Sequence, residues 1–256
     1  MVGDICGRPG RQMLRETLPS LRRRERIDVA IVNGENAAAG FGVTRSVYLE
    51  LQQSGAEVFT LGNHAFDKRE VMPLLDEEPR LVRPLNYPPG TPGLGYCIVP
   101  VGQERLLVVN AMGRVFLSVC LDDPFRAVDA LLEEQKGRFD AAFLDFHCEA
   151  TSEKEAMGWY LDGRVAAVVG THTHVQTADE RILPGGTAYL TDVGMTGPMD
   201  SVLGMDRKAM VDRFLHQLPT RFEVAEGKRQ FNAVIVETAP ETGLATEVRR
   251  IFIRED

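Results

Sequence analysis

With 256 residues, 44% of them hydrophobic and 26% charged, the chain can bury a core without covalent staples. A net charge of −8 excludes broad, sequence-independent binding to nucleic acid, though not a small phosphate ligand held through cations. Cys6, Cys97, Cys120 and Cys148 match neither a zinc finger nor a disulfide framework, and neither a signal peptide nor an apolar run of membrane-spanning length is seen, so a cytoplasmic protein with reduced thiols and no membrane partner is expected.

The chain opens Met1-Val2-Gly3-Asp4, with almost no apolar strand ahead of Asp4. Residues 11–26 carry apolar side chains at helical spacing and end in basic residues, which suit a helix C-terminus. A β-branched run over 28–32 predicts a buried strand that leads into Asn33-Gly34-Glu35-Asn36. A helix over 44–54 starts at Thr44 and stops before Gly55, and a strand over 57–61 leads into Gly62-Asn63-His64. The Pro-rich stretch 83–92 reads as an ordered loop too short to separate domains. Strands follow at 96–101 and 106–110, a helix at 124–135, and a strand at 141–146 that leads into His147. After a helix at 152–161, a strand at 165–169 leads into Gly170-Thr171-His172-Thr173-His174. A strand at 187–190, a helix at 206–218 and two strands at 231–237 and 247–253, joined by a turn at 240–243, complete the chain. Alternating strand and helix in the first half predicts parallel pairing, and the tail predicts an antiparallel pair. A two-sheet mixed α/β sandwich fits this better than a doubly wound sheet, with residues 1–256 forming one domain.

Four of the five polar clusters directly follow a strand, and ligands bind beyond the carboxyl ends of strands in open α/β sheets. Four of the five histidines lie in these clusters; only His216 lies elsewhere. Asp4, Glu35, Asn63, His147, His172 and His174 supply oxygen and imidazole without thiolate, which suits Mn, Fe, Zn or Co. Six candidates exceed the needs of one tetrahedral zinc and suit two metal ions about 3.5–4 Å apart, with Glu35 as the natural bridge. His172 and His174 would face the same side if their stretch is extended. His64 borders the site as a proton donor, or else orients Asp67 or a backbone carbonyl.

These residues resemble the signature of the calcineurin-like metallophosphoesterase superfamily: an early Asp (Gly3-Asp4), an acidic block (Gly34-Glu35-Asn36), GNH (Gly62-Asn63-His64), a lone His147, and a GTHTH block at Gly170–His174. More narrowly, the stretches 145–152, 158–180 and 191–198 are similar to the bacterial YmdB-like family of 2′,3′-cyclic-nucleotide 2′-phosphodiesterases. The resemblance implies a four-layer α/β/β/α sandwich with two mixed sheets and a two-metal centre of iron or manganese, with zinc as an alternative. It places one metal on Asp4, Glu35, Asn36 and His174, the other on Glu35, Asn63, His147 and His172, and makes His64 the catalytic proton donor. The wider superfamily carries Asp-x-His where this chain has Asp4-Ile5-Cys6, so Asn36 is expected to replace one imidazole. The expected partner is a small phosphodiester such as a 2′,3′-cyclic nucleotide, attacked by a metal-bridging hydroxide; 3′,5′-cyclic nucleotides are a further candidate, and a homo-oligomer is compatible with the sequence. The alternatives are a phosphomonoesterase with the same site and a regulatory binding protein that keeps the metals. Pocket walls are expected at 37–43 and 83–92. Because the family has an apolar strand ahead of its first Asp, the short start is expected to loosen Asp4.

Overall fold

The computed structural model describes residues 1–255. In chain order its first elements are β1 (Asp4–Ile5), α1 (Gly7–Glu25), β2 (Ile31–Asn33), α2 (Arg45–Gln53), β3 (Val58–Thr60), α3 (Val71–Glu77) and β4 (Leu81–Val82). Then come β5 (Tyr96–Val101), β6 (Glu104–Met112), α4 (Pro124–Glu134), β7 (Ala141–His147), α5 (Thr151–Leu161), β8 (Ala167–Thr171), β9 (Arg181–Ile182) and β10 (Ala188–Leu190). The last are β11 (Met195–Pro198), α6 (Arg207–His216), β12 (Arg229–Thr238) and β13 (Ala245–Arg254).

One sheet has the order β5-β6-β7-β8-β10-β9, parallel from β6 through β10 with antiparallel edges. The other joins the parallel set β2-β3-β4 to β1-β11-β12-β13 through Val2, which bridges Val32 on one side and Ala233 on the other. Three apolar clusters define four layers. Met13, Leu14, Leu18 and Leu21 of α1 pack with Ile5, Val32 and Phe59 on the outer face of the sheet that holds β1, β2 and β3. Ile31, Val58 and Val234 meet Val108, Phe143 and Val169 between the two sheets. Val128, Leu131, Met157 and Leu161 of α4 and α5 cover the far face of the six-stranded sheet. The expected four-layer sandwich is thus what the chain forms.

Capping sets the helix starts. Thr44 accepts from Val47 N, and Asp123 accepts from Phe125 N and Arg126 N ahead of Pro124 in the first turn. Helix α1 begins at Gly7 rather than at 11: Pro9 sits in the first turn, where its missing N–H costs no helical bond. Residues 2–5 are themselves the central strand. Val2 N donates to Ile31 O at 2.8 Å, Gly3 N to Asn232 O at 3.0 Å and Asp4 N to Gly194 O at 3.0 Å. Asp4 is fully buried. Among the described residues no helix is long and apolar enough to cross a membrane.

Candidate metal centre

Every residue singled out in the sequence comes to the carboxyl edge shared by the two sheets. Asp4 lies on β1, Glu35 and Asn36 follow β2, and Asn63 and His64 follow β3. From the other sheet come His147, the last residue of β7, and His172 and His174 after β8. Glu35 is the centre of the group. Its Oε1 lies 3.1 Å from His147 Nε2 and accepts from Asn36 Nδ2 at 3.1 Å, while its Oε2 accepts from His64 N at 3.0 Å. On one flank His147 Nε2 lies 2.9 Å from Asn63 Oδ1 and 3.0 Å from His172 Nδ1. On the other, His174 Nε2 lies 3.1 Å from Asn36 Nδ2 and 3.9 Å from Asp4 Oδ1. Gly62 has to be glycine, because a Cβ there would lie 2.4 Å from both Glu35 Oε2 and His147 Nε2.

The imidazoles are aimed from behind. Thr171 Oγ1 donates to Asp145 Oδ1 at 2.7 Å, which leaves it to accept from His147 Nδ1 at 2.9 Å. His174 Nδ1 donates to Leu203 O at 3.0 Å, and His172 Nε2 lies 3.0 Å from Glu149 Oε2. With those outer nitrogens protonated, the inner nitrogens of His172 and His174 present lone pairs to the centre, and that of His147 would do so once a metal ion displaces its proton.

Charge in the cluster is unbalanced. Burial pushes the Asp4 carboxyl up. Burial also pushes Glu35 up, but the His147 charge and its hydrogen bond hold that carboxyl down at about 2. Burial alone would lower His147, yet Glu35 and then Asp4 draw it up to about 9. Burial, and then the neighbouring His147, push His172 down to about 3, which keeps its lone pair free. Asp4 Oδ1 is buried and has no hydrogen-bond partner. A buried carboxylate oxygen without a partner is costly unless a cation faces it. Glu35, His147 and His172 bring ligand atoms within 4.8 Å of one another, and this oxygen and nitrogen donor set fits divalent metal ions.

Two expectations need correction. Residues 172–174 are not extended: His172 has φ 101° and His174 φ 65°, so the two rings reach the site from a tight left-handed loop. Residues 83–92 do not line the cavity, because Arg83 turns inward and donates to the carbonyls of Pro84, Thr91 and Pro92 in its own loop. The walls are Gly40 and Phe41, as expected of 37–43, together with Glu149, Leu203 and Met205. Glu149 could have been noticed in the sequence, two residues after His147; Leu203 and Met205 are brought in only by the tertiary fold. Cys6 is fully buried: a side chain on Gly204 would meet its Sγ at 2.4 Å, and burial pushes its thiol up to about 12.

The fold is the calcineurin-like metallophosphoesterase sandwich, and the chain is an enzyme that hydrolyses phosphoric ester bonds. The chain belongs to the YmdB-like protein family, whose model matches residues 1–251. It is 52% identical over 255 residues to the 2′,3′-cyclic-nucleotide 2′-phosphodiesterase of Bacillus subtilis strain 168, covering 100% of this chain and 96% of that one. It superposes with a TM-score of 0.94 on a Thermus thermophilus protein of 47% identity, covering 100% and 98% of the two chains. A Mycoplasma pneumoniae protein described as a novel phosphatase gives the same TM-score at 34% identity, covering 100% and 92%.

Proposed function

We propose that this enzyme opens 2′,3′-cyclic nucleotides at the 2′ ester and releases nucleoside 3′-monophosphates. The observation that carries the reading is the gathering of Asp4, Asn36 and His174 on one flank of Glu35 and of Asn63, His147 and His172 on the other. One metal ion would be held by Asp4, Glu35, Asn36 and His174, the second by Glu35, Asn63, His147 and His172. Asn36 would turn its amide by half a rotation to present oxygen. Iron or manganese, with zinc as the alternative, would supply a water of near-neutral pKa and offset charge on the phosphoryl oxygens.

His64 holds the proton for the leaving ribose oxygen. Its Nδ1 lies 2.8 Å from Asp67 Oδ2, which fixes the ring and leaves Nε2 free to face the leaving oxygen. Phe41 meets the ring edge-on at 4.9 Å between centroids and limits its rotation. None of the residues lining the cavity is lysine or arginine, and Glu149 adds a carboxylate at its wall. A monoester brings a second negative charge with no cationic side chain to receive it, which favours a diester over the phosphomonoesterase alternative. Phe41, Leu203 and Met205 form an apolar wall for the nucleoside. The cavity, about 230 Å³, is smaller than the roughly 300–1,000 Å³ of pockets that enclose a drug-sized ligand, so the base would sit at its mouth.

The test is to incubate the manganese-reconstituted enzyme with 2′,3′-cyclic AMP, 3′,5′-cyclic AMP and p-nitrophenyl phosphate and to separate the products. The expected product of the first is 3′-AMP. Accumulation of 2′-AMP would reverse the assigned leaving oxygen, and hydrolysis of the monoester alone would overturn the reading.

A further inference from the structure

Two buried charged side chains that take no part in the chemistry above meet behind the histidine loop. Lys154 on α5 and Asp192 after β10 are both buried, with side chains 2% and 0% exposed, and Lys154 Nζ donates to Asp192 Oδ2 at 2.7 Å. The same oxygen accepts from Thr173 N at 3.1 Å and from Thr173 Oγ1 at 2.7 Å. Asp192 Oδ1 accepts from Gly194 N at 2.8 Å, so the carboxylate is itself fixed to the backbone. Thr173 stands between His172 and His174, both with positive φ. Side chains other than glycine keep such a backbone only where the surroundings over-determine it. The carboxylate supplies that constraint, and the ammonium makes its burial tolerable. The floor of the loop is equally closed, since a Cβ on Gly170 would lie 1.9 Å from Thr191 O and 2.8 Å from Lys154 Cδ.

We propose that Asp192, held by Lys154, is a positioning residue that sets the ligating orientation of His172 and His174 by gripping Thr173 between them. This rests on the proposed reading of both histidines as metal ligands. The grip keeps the two rings facing the centre before a metal ion arrives, so its loss should appear first as weaker metal affinity. Removing a group that orients ligands commonly lowers metal affinity 10–100-fold.

The test uses Thr173→Val, which removes only the hydroxyl bond, Thr173→Ser, which restores it, Asp192→Asn, and His174→Ala as reference. Mn²⁺ affinity is measured by calorimetry, the bound ion by electron paramagnetic resonance, and Tm on the metal-free proteins. Thr173→Val should bind Mn²⁺ about tenfold more weakly and Asp192→Asn about 10–100-fold, with Thr173→Ser close to wild type. Saturating Mn²⁺ should return most of the kcat of Thr173→Val. Wild-type affinity in Thr173→Val and Asp192→Asn, with only Tm lowered, would make the grip purely structural and overturn the inference. Thr173→Val tests it even if Asp192→Asn does not fold. His174→Ala with full metal content would instead overturn the ligand assignment, and this inference with it.

Discussion

The two sheets build their halves of the site differently. The sheet containing β1, β2 and β3 contributes Asp4, Glu35, Asn36 and Asn63, short oxygen-bearing side chains placed by where each strand ends. The sheet containing β7 and β8 contributes His147, His172 and His174, longer rings whose aim depends on Thr171, Glu149 and the carbonyl of Leu203. One half is positioned mainly by backbone and the other mainly by hydrogen-bond partners. Changes outside the site should therefore reach the imidazole half more readily than the carboxylate half. Asp145 ties the halves together: its Oδ2 accepts from Thr60 Oγ1 at 2.5 Å and Asn33 Nδ2 at 3.2 Å in one sheet, and its Oδ1 from Thr171 Oγ1 in the other.

The sharpest way to break this picture is at the shared carboxylate. Glu35→Gln should lose at least one metal equivalent and nearly all turnover, because a neutral amide is a poor bridge between two cations. Metal analysis of the purified variant checks it, and two equivalents with normal turnover would remove Glu35 from the bridge. Next comes His64→Ala, expected to keep both metals and to lose about 10²–10⁴-fold in kcat/KM on a cyclic nucleotide. The loss should shrink on bis-p-nitrophenyl phosphate, whose leaving group departs without a proton, whereas equal losses would make His64 a residue that only places substrate. Asp145→Asn breaks the tie behind His147 and should weaken Mn²⁺ binding about 10–100-fold, as partners of ligating histidines commonly do. Unchanged affinity in a calorimetric titration would mean that Thr171 aims His147 unaided.

A smaller effect sharpens the contrast from outside the ligands. Cys6→Ala should leave metal content and turnover within about twofold, since a thiol raised to about 12 by burial stays protonated at neutral pH. A large drop in bound metal would show that thiolate takes the place of the missing histidine.

Most of the candidate site was legible in the sequence because its donors, Asp4 excepted, follow strands whose apolar, β-branched runs are unmistakable. The short elements were not. β4 and β9 have two residues each, β11 has four and α3 has seven, too few for a period to declare itself. Loop conformation was also hidden: nothing in Thr171–His174 announces positive φ at two histidines. The 83–92 loop illustrates a further limit, since it reads as a pocket wall but is folded on itself by Arg83, which binds the loop's own carbonyls. Leu203 and Met205 reach the cavity because Met205 bridges Val224 and His174 binds the Leu203 carbonyl, contacts between segments far apart in sequence.

Val2 pairs with Val32 and with Ala233, and Met1 meets Val234. The earliest strand in the chain is therefore walled in on one side by nearly the last. Asp4 and Ile5 pair with β11, but the edge beside residues 1–3 remains open until β12 has been made. Contacts so distant in sequence are slow to close and leave an unpaired strand edge exposed meanwhile. A nascent chain halted before Arg229 would carry all seven proposed ligands, and β11 beside Asp4, yet lack the β12 residues that pair with Val2 and Gly3 just ahead of it. Catalytic competence should thus arrive in one late step of folding, when these two distant stretches meet.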